Sequence, residues 1–201
     1  MPKETMSPRE RWEAVLARQY PDRVPMDIWA TQEAFDKLCQ HLDCDFDTML
    51  ARLHIDTPHG IAPEYIGPPA PDHQDMWGIG WRDVDYGTGV YREATSSPLA
   101  AYTSVDEIEA NYTWPNADWY DYSTLPQQVR GNEHRPIRGG GSEPFLIYKL
   151  LRGDQQAFLD LLMYPEIVHY CMDKMFGLAY EMTRRIFETV PGAVSITYVA
   201  E

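Results

Sequence analysis

The chain has 201 residues, 44% of them hydrophobic and 12% aromatic, enough apolar material for one sizeable core or two small ones and too much for a disordered chain. A net charge of −14 argues against a nucleic-acid partner, whose phosphates need a Lys/Arg-rich face, and against an anionic membrane surface. Three cysteines make no disulfide framework, no apolar run reaches the roughly 18 residues of a membrane span, and Met1 to Glu10 holds no signal-peptide core, so a cytoplasmic protein is expected.

Ser7-Pro8-Arg9-Glu10 has the form of a capping box with proline at the first helical position, and the helix it opens is expected to bury Trp12, Val15 and Leu16. After the break at Pro21-Asp22-Arg23, Val24 to Ala30 reads as a first strand. The pattern predicts a second helix from Thr31 to Leu42, burying Phe35, Leu38, Cys39 and Leu42. Asp45 caps a third, with Met49, Leu50 and Leu53 inward. His54-Ile55-Asp56-Thr57 enters a second, weaker strand.

From Gly67 to Trp119 aromatics alternate with turn residues, which predicts an antiparallel hairpin excursion turning near Gly87 to Gly89. Trp77, Trp81 and Tyr91 in it suit either a substrate lid or cross-strand packing. Ser104-Val105-Asp106-Glu107 starts a short helix near Asp106 to Ala110, and another covers Ser123 to Arg130. Pro136-Ile137-Arg138 leads into Gly139-Gly140-Gly141 and a helix from Glu143 to Leu151. Asp154 is expected to cap a helix burying Phe158, Leu161 and Leu162. Pro165 opens the longest helix, to Thr189, with Val168, Cys171, Met175, Leu178, Met182 and Ile186 on one stripe. After Pro191-Gly192, Ala193 to Val199 reads as a buried strand wanting neighbours on both sides.

Strand and helix in alternation predict an α/β fold with a parallel sheet and right-handed crossovers. A (β/α)₈ TIM barrel takes about 250 residues. With the excursion set aside, this chain accommodates about four strand-helix units, and residues 1–201 are expected to be the N-terminal half of a barrel in a longer enzyme.

Ser7-Pro8-Arg9-Glu10-Arg11, Pro21-Asp22-Arg23-Val24-Pro25, the Trp77-Gly78 segment, Leu151-Arg152-Gly153 and Tyr164-Pro165-Glu166 together resemble the uroporphyrinogen decarboxylase (URO-D) superfamily, from about residue 6 to the end. That superfamily includes cobalamin-dependent methyltransferases, which move methyl groups between corrinoid proteins and thiols such as coenzyme M. The resemblance implies the URO-D-type barrel, a small-molecule substrate or a corrinoid protein as partner, and zinc and a corrinoid as cofactors of a full-length parent, with none held by this chain. A homodimer is expected if the chain is instead a half-barrel module that pairs with itself.

True decarboxylases carry an arginine-rich segment at the end of strand one; here that place reads Asp27-Ile28-Trp29-Ala30-Thr31-Gln32. Their essential aspartate lies just past strand two, where this chain has Ala62-Pro63-Glu64-Tyr65. A substrate with eight carboxylates suits a chain of net −14 poorly. The expectation is therefore methyltransferase-type chemistry, with porphyrin-biosynthetic decarboxylation and a non-catalytic half-barrel interaction module as the alternatives.

Barrel chemistry collects at strand ends. His59 and Glu64 flank the second strand as acid/base candidates, against a solvated-loop reading. Glu201 and Tyr198 end the fourth strand. Trp29 suits stacking on a flat ligand or plain packing. The glycine run with Ser142 suits an anion cradle beside Arg138, or turn geometry alone. Cys39-Gln40-His41-Leu42-Asp43-Cys44 looks like a metal loop but lacks a second ligand pair, and no metal ligand is assigned in this chain.

Overall fold

The computed structural model describes residues 4–200. The helices start where the sequence offers caps. In α1 (Pro8–Leu16) the Ser7 hydroxyl accepts the Glu10 N–H, and the Glu10 carboxylate accepts the Ser7 N–H at 2.7 Å, so the capping box is complete. Thr31 caps α2 (Gln32–Leu42), and Asp45 caps α3 (Phe46–Arg52) through a 2.7 Å bond from Thr48 N–H. Two short strands follow, β1 (His59–Ile61) and β2 (Glu64–Tyr65).

The hairpin is β3 (Gly80–Asp85) against β4 (Val90–Ser96), antiparallel, closed by a Tyr86 N–H to Gly89 carbonyl bond of 3.2 Å with Gly87 at positive φ. Trp81 there donates its indole N–H to Asp75, and Arg92 stacks over its ring at 5.0 Å. Then come α4 (Val105–Asn111), a 3₁₀ turn (Ala117–Trp119), β5 (Tyr120–Asp121) and α5 (Leu125–Val129). The last elements are β6 (Ile137–Ser142), α6 (Pro144–Arg152), α7 (Asp154–Met163), α8 (Pro165–Thr189) and β7 (Val194–Val199). The chain is mixed α/β, and its described residues form no closed barrel. No helix among them is long and apolar enough to cross a membrane.

The chain divides into two compact units. Among the described residues the first comprises 4–62, Ser123–Gly139 and Ile186–Thr197; the second comprises Pro63–Tyr122, Gly140–Arg185 and 198–200. β1, β6 and β7 form a three-stranded sheet in that order, with β1 and β6 parallel and Gly60 opposite Arg138. β2 pairs with β5 antiparallel. The second unit's core gathers Ile79, Leu99, Ile108, Tyr148, Leu151 and Ile167.

Several expectations are corrected. Val24 to Ala30 forms no strand: Pro25 has no N–H to give, and Met26 instead exchanges bonds with Asp56 alone, accepting its N–H at 2.7 Å and donating to its carboxylate at 2.9 Å. The second strand begins at His59 rather than His54, which sits at φ +56°. In α1 the buried side chains are Arg11 and Ala14, while Val15 and Leu16 are exposed. None of the α2 residues is fully buried, and Leu53 is exposed.

α7 is capped by Gly153, with no side-chain bond from Asp154. Its buried residues are Ala157 and Asp160, and Phe158, Leu161 and Leu162 face outward. The reason is Arg152: buried on α6, it grips the Asp160 carboxylate at 2.6 and 3.1 Å and sets the phase of the helix. β7 is only partly buried, because it is the outer strand of its sheet, and Val199 is exposed. α8 keeps its stripe, with Cys171, Met175, Leu178 and Ile186 buried and Ile167 added.

Candidate functional site

The first unit is held by a charge network whose centre is buried. Arg11 bonds Asp22 at 2.7 Å and Asp56 at 2.5 Å, and Arg23 bonds Asp56 at 2.6 Å and Glu4 at 2.8 Å. Hydrogen bonding from Arg11 holds the Asp22 carboxyl far below the usual carboxylate range. Asp56 is thereby fixed, and through it the backbone of Met26. The segment after Met26 and the residue after Asp56 are consequently brought side by side.

A cavity of about 480 Å³ opens at that point. Ile28, Trp29, Phe35 and Pro58 give it apolar walls, and Thr57 and Arg138 supply polar ones. Asp27 also lines it but is already engaged. It accepts the Thr57 hydroxyl, the Ile28 N–H at 2.8 Å and the Trp29 indole N–H at 3.2 Å. That last bond orients an indole that is 68% exposed. Phe35 is braced edge-on by Phe46 at 5.2 Å. Arg135 donates twice to the Thr57 carbonyl, at 3.1 and 3.3 Å, which stiffens the floor.

Arg138 is the feature that gives the cavity a chemistry. It stands on β6 opposite Gly60, and its Nη2 lies 3.8 Å from where a Cβ of Gly60 would be. Among the described residues no carboxylate or carbonyl pairs with the Arg138 guanidinium. A guanidinium is always charged and presents a planar fork of donors, so this half-buried one is matched to a carboxylate, sulfonate or phosphate.

Of the residues singled out from the sequence, the structure brings Trp29 and Arg138 together in this cavity. His59 does not line it. It opens β1, and its Nε2 lies 3.1 Å from the Gln128 carbonyl. Burial, then the Arg135 charge, push the imidazole below its ordinary pKa, so the ring is neutral and donates from Nε2. Glu64 is exposed on β2 of the second unit, opposite Asp121. Ser142 and Tyr198 also belong to the second unit, both half-buried; the Ser142 carbonyl accepts the Ala200 N–H at 3.3 Å. Glu201 lies outside the described residues.

The glycine run is strand rather than cradle. Gly139 to Gly141 lie within β6, and the Gly141 N–H is donated to the Thr183 hydroxyl at 3.1 Å. A Cβ on Gly140 would strike Thr183, and one on Gly141 would strike the Tyr198 carbonyl, so close packing demands these glycines. Sequence reasoning missed Phe35, Thr57 and Pro58 as cavity residues. The one available signal was the Asp-x-Trp spacing at Asp27 to Trp29, which lets a carboxylate steer the indole beside it. Comparison of the chain with protein-family models, with curated proteins and with solved structures found no match.

Proposed function

We propose that the chain is part of a uroporphyrinogen-decarboxylase-like enzyme of the methyltransferase type, and that the Trp29/Arg138 cavity receives a small substrate bearing one anionic group. The observation that carries this reading is a guanidinium that has no ion-pair partner among the described residues and faces a largely apolar cavity. One cation suits one anionic group, as on a thiol such as coenzyme M. A porphyrinogen with eight carboxylates would call for several. The mixed α/β architecture, with β1 and β6 side by side and parallel, supports the barrel-type part of this reading.

Among the described residues no group of three or more His, Cys, Asp or Glu side chains is arranged to hold a metal ion. These residues do not by themselves fit a zinc site, the Cys39 to Cys44 loop included. The role ascribed to this chain is accordingly substrate binding: charge pairing by Arg138 and enclosure by Trp29, Phe35 and Pro58.

The test is demethylation of methylcobalamin by 2-mercaptoethanesulfonate in the presence of the full-length parent enzyme, followed by absorbance. Thiol-dependent demethylation whose kcat/KM drops about tenfold or more on Arg138→Gln supports the proposal. Turnover of uroporphyrinogen without demethylation would move the protein to the decarboxylase branch.

A further inference from the structure

A second cavity, of about 200 Å³, lies wholly in the second unit. Four aromatic side chains line it: Tyr65, Trp77, Tyr112 and Trp119. Asp75 is the carboxylate among its lining residues, and none of them is Lys, Arg or His. The walls are built rather than incidental. Tyr65 and Trp119 meet edge to face at 6.4 Å, a closure allowed by Gly67, where a Cβ would come within 2.7 Å of Trp119. The Tyr65 hydroxyl is tied to the Pro68 carbonyl and that of Tyr112 to the Trp77 carbonyl, each at 2.8 Å.

Asp75 is locked in the same way. It accepts the N–H groups of Trp77 at 2.9 Å and Ile79 at 3.1 Å on one oxygen, and the Trp81 indole at 2.8 Å on the other. A carboxylate has about four lone-pair sites, so three donors leave it with acceptor capacity to spare. Burial, and then the Asp75 charge, raise the Tyr112 phenol, which therefore stays neutral and offers an uncharged π-face. Electron-rich rings around one carboxylate, with no lining cation, repel anions and favour a soft cation.

We propose that this cavity binds a methylated ammonium group, its aromatic walls supplying cation–π contacts and Asp75 the counter-charge. The volume limits the occupant to a head group about the size of trimethylammonium, which either a small metabolite or a trimethylated lysine side chain carries. The site is separate from the Trp29/Arg138 cavity and does not depend on its chemistry.

The experiment is titration of the protein with choline, followed by tryptophan fluorescence and calorimetry. It is paired with 3,3-dimethylbutan-1-ol, which keeps the shape of choline and lacks the charge. A short peptide with trimethyl-lysine is run beside the same peptide with the charge-free neopentyl analogue. Binding of either cation about tenfold tighter than its neutral partner supports the proposal, and the tighter cation identifies the source. Equal binding of charged and neutral forms, or binding of neither, overturns it. Tyr65→Leu, at a partly exposed ring, should weaken the cation about fivefold or more and leave the fold intact. Asp75→Asn should lower affinity further where it folds, and Arg138→Gln should change nothing here.

Discussion

Gly141 and Tyr198 approach so closely that a Cβ on residue 141 would fall 1.8 Å from the Tyr198 carbonyl oxygen. Gly141 also holds φ +91°, a region that L-residues with side chains avoid. Gly141→Ala must both bend its own backbone and displace that of β7. The expected cost is roughly 2–4 kcal/mol of stability, read as a lower urea midpoint with an unchanged slope. An unaltered midpoint would mean that the two strands do not lie this close.

Arg152 and Asp160 are both essentially inaccessible, at 2% and 0% side-chain exposure, and are linked by two bonds. Burial works against the Asp160 carboxylate, but bonds from Arg152, Tyr148 and Gln156 together hold its pKa below the usual range. Arg152 also donates to the carbonyls of Leu99 and Tyr102, at 2.5 and 2.7 Å. Asp160→Leu strands a buried cation and should cost about 3–5 kcal/mol. Tyr148→Phe, which removes one bond to the same carboxylate, should cost about 1 kcal/mol. Comparable midpoints for the two variants in denaturant would contradict this ordering.

These ion pairs also explain what the sequence could and could not reveal. Helix starts were legible because caps are local: Ser7 with Glu10, Thr31, Asp45 and Ser104 each bond within three residues. The hairpin was legible for the same reason. The stripe of α8 was legible too, but the faces of α1 and α7 were not, because hydrophobic periodicity assumes that charge points outward. In α1 and α7 it points inward, drawn by partners that are distant in sequence from Arg11 and on the preceding helix for Asp160, and the apolar residues are rotated out. Arg11, Asp22, Arg23 and Arg152 all lie in the motifs that carried the family resemblance, and here they act as structural ion pairs. At the candidate site, Trp29 and Arg138 could be named singly. Their meeting depends on Asp56 gripping Met26 and on β6 pairing with β1, neither of which is written in any local pattern.

Arg138 makes no ion pair among the described residues, so its removal should not loosen the first unit. Arg138→Gln is expected to shift the urea-derived stability by less than about 0.5 kcal/mol, the range of a substitution that breaks no contact. Its effect should fall on ligand binding alone: affinity for a small aromatic carboxylate, titrated against the fluorescence of Trp29, drops at least about tenfold. A large loss of stability would show the guanidinium to be structural instead.

His59 gives the pH dependence a definite sign. Burial and the neighbouring Arg135 depress its folded pKa below the ordinary value of about 6.5, while the Gln128 carbonyl opposes them only in part. Between the folded and unfolded pKa the unfolded chain therefore binds more protons, and stability rises with pH across that window. The contribution is complete above about pH 6.5 and is lost as the pH falls toward the folded value. His59→Gln keeps an amide N–H within reach of the Gln128 carbonyl and cannot titrate. It should flatten the fall in thermal midpoint expected of the wild-type chain as the pH drops below about 6.5, and NMR titration of the His59 ring should give a midpoint below that of a free imidazole. A ring that titrates at or above the ordinary value would mean that the imidazolium, not the neutral ring, is the form this pocket stabilises.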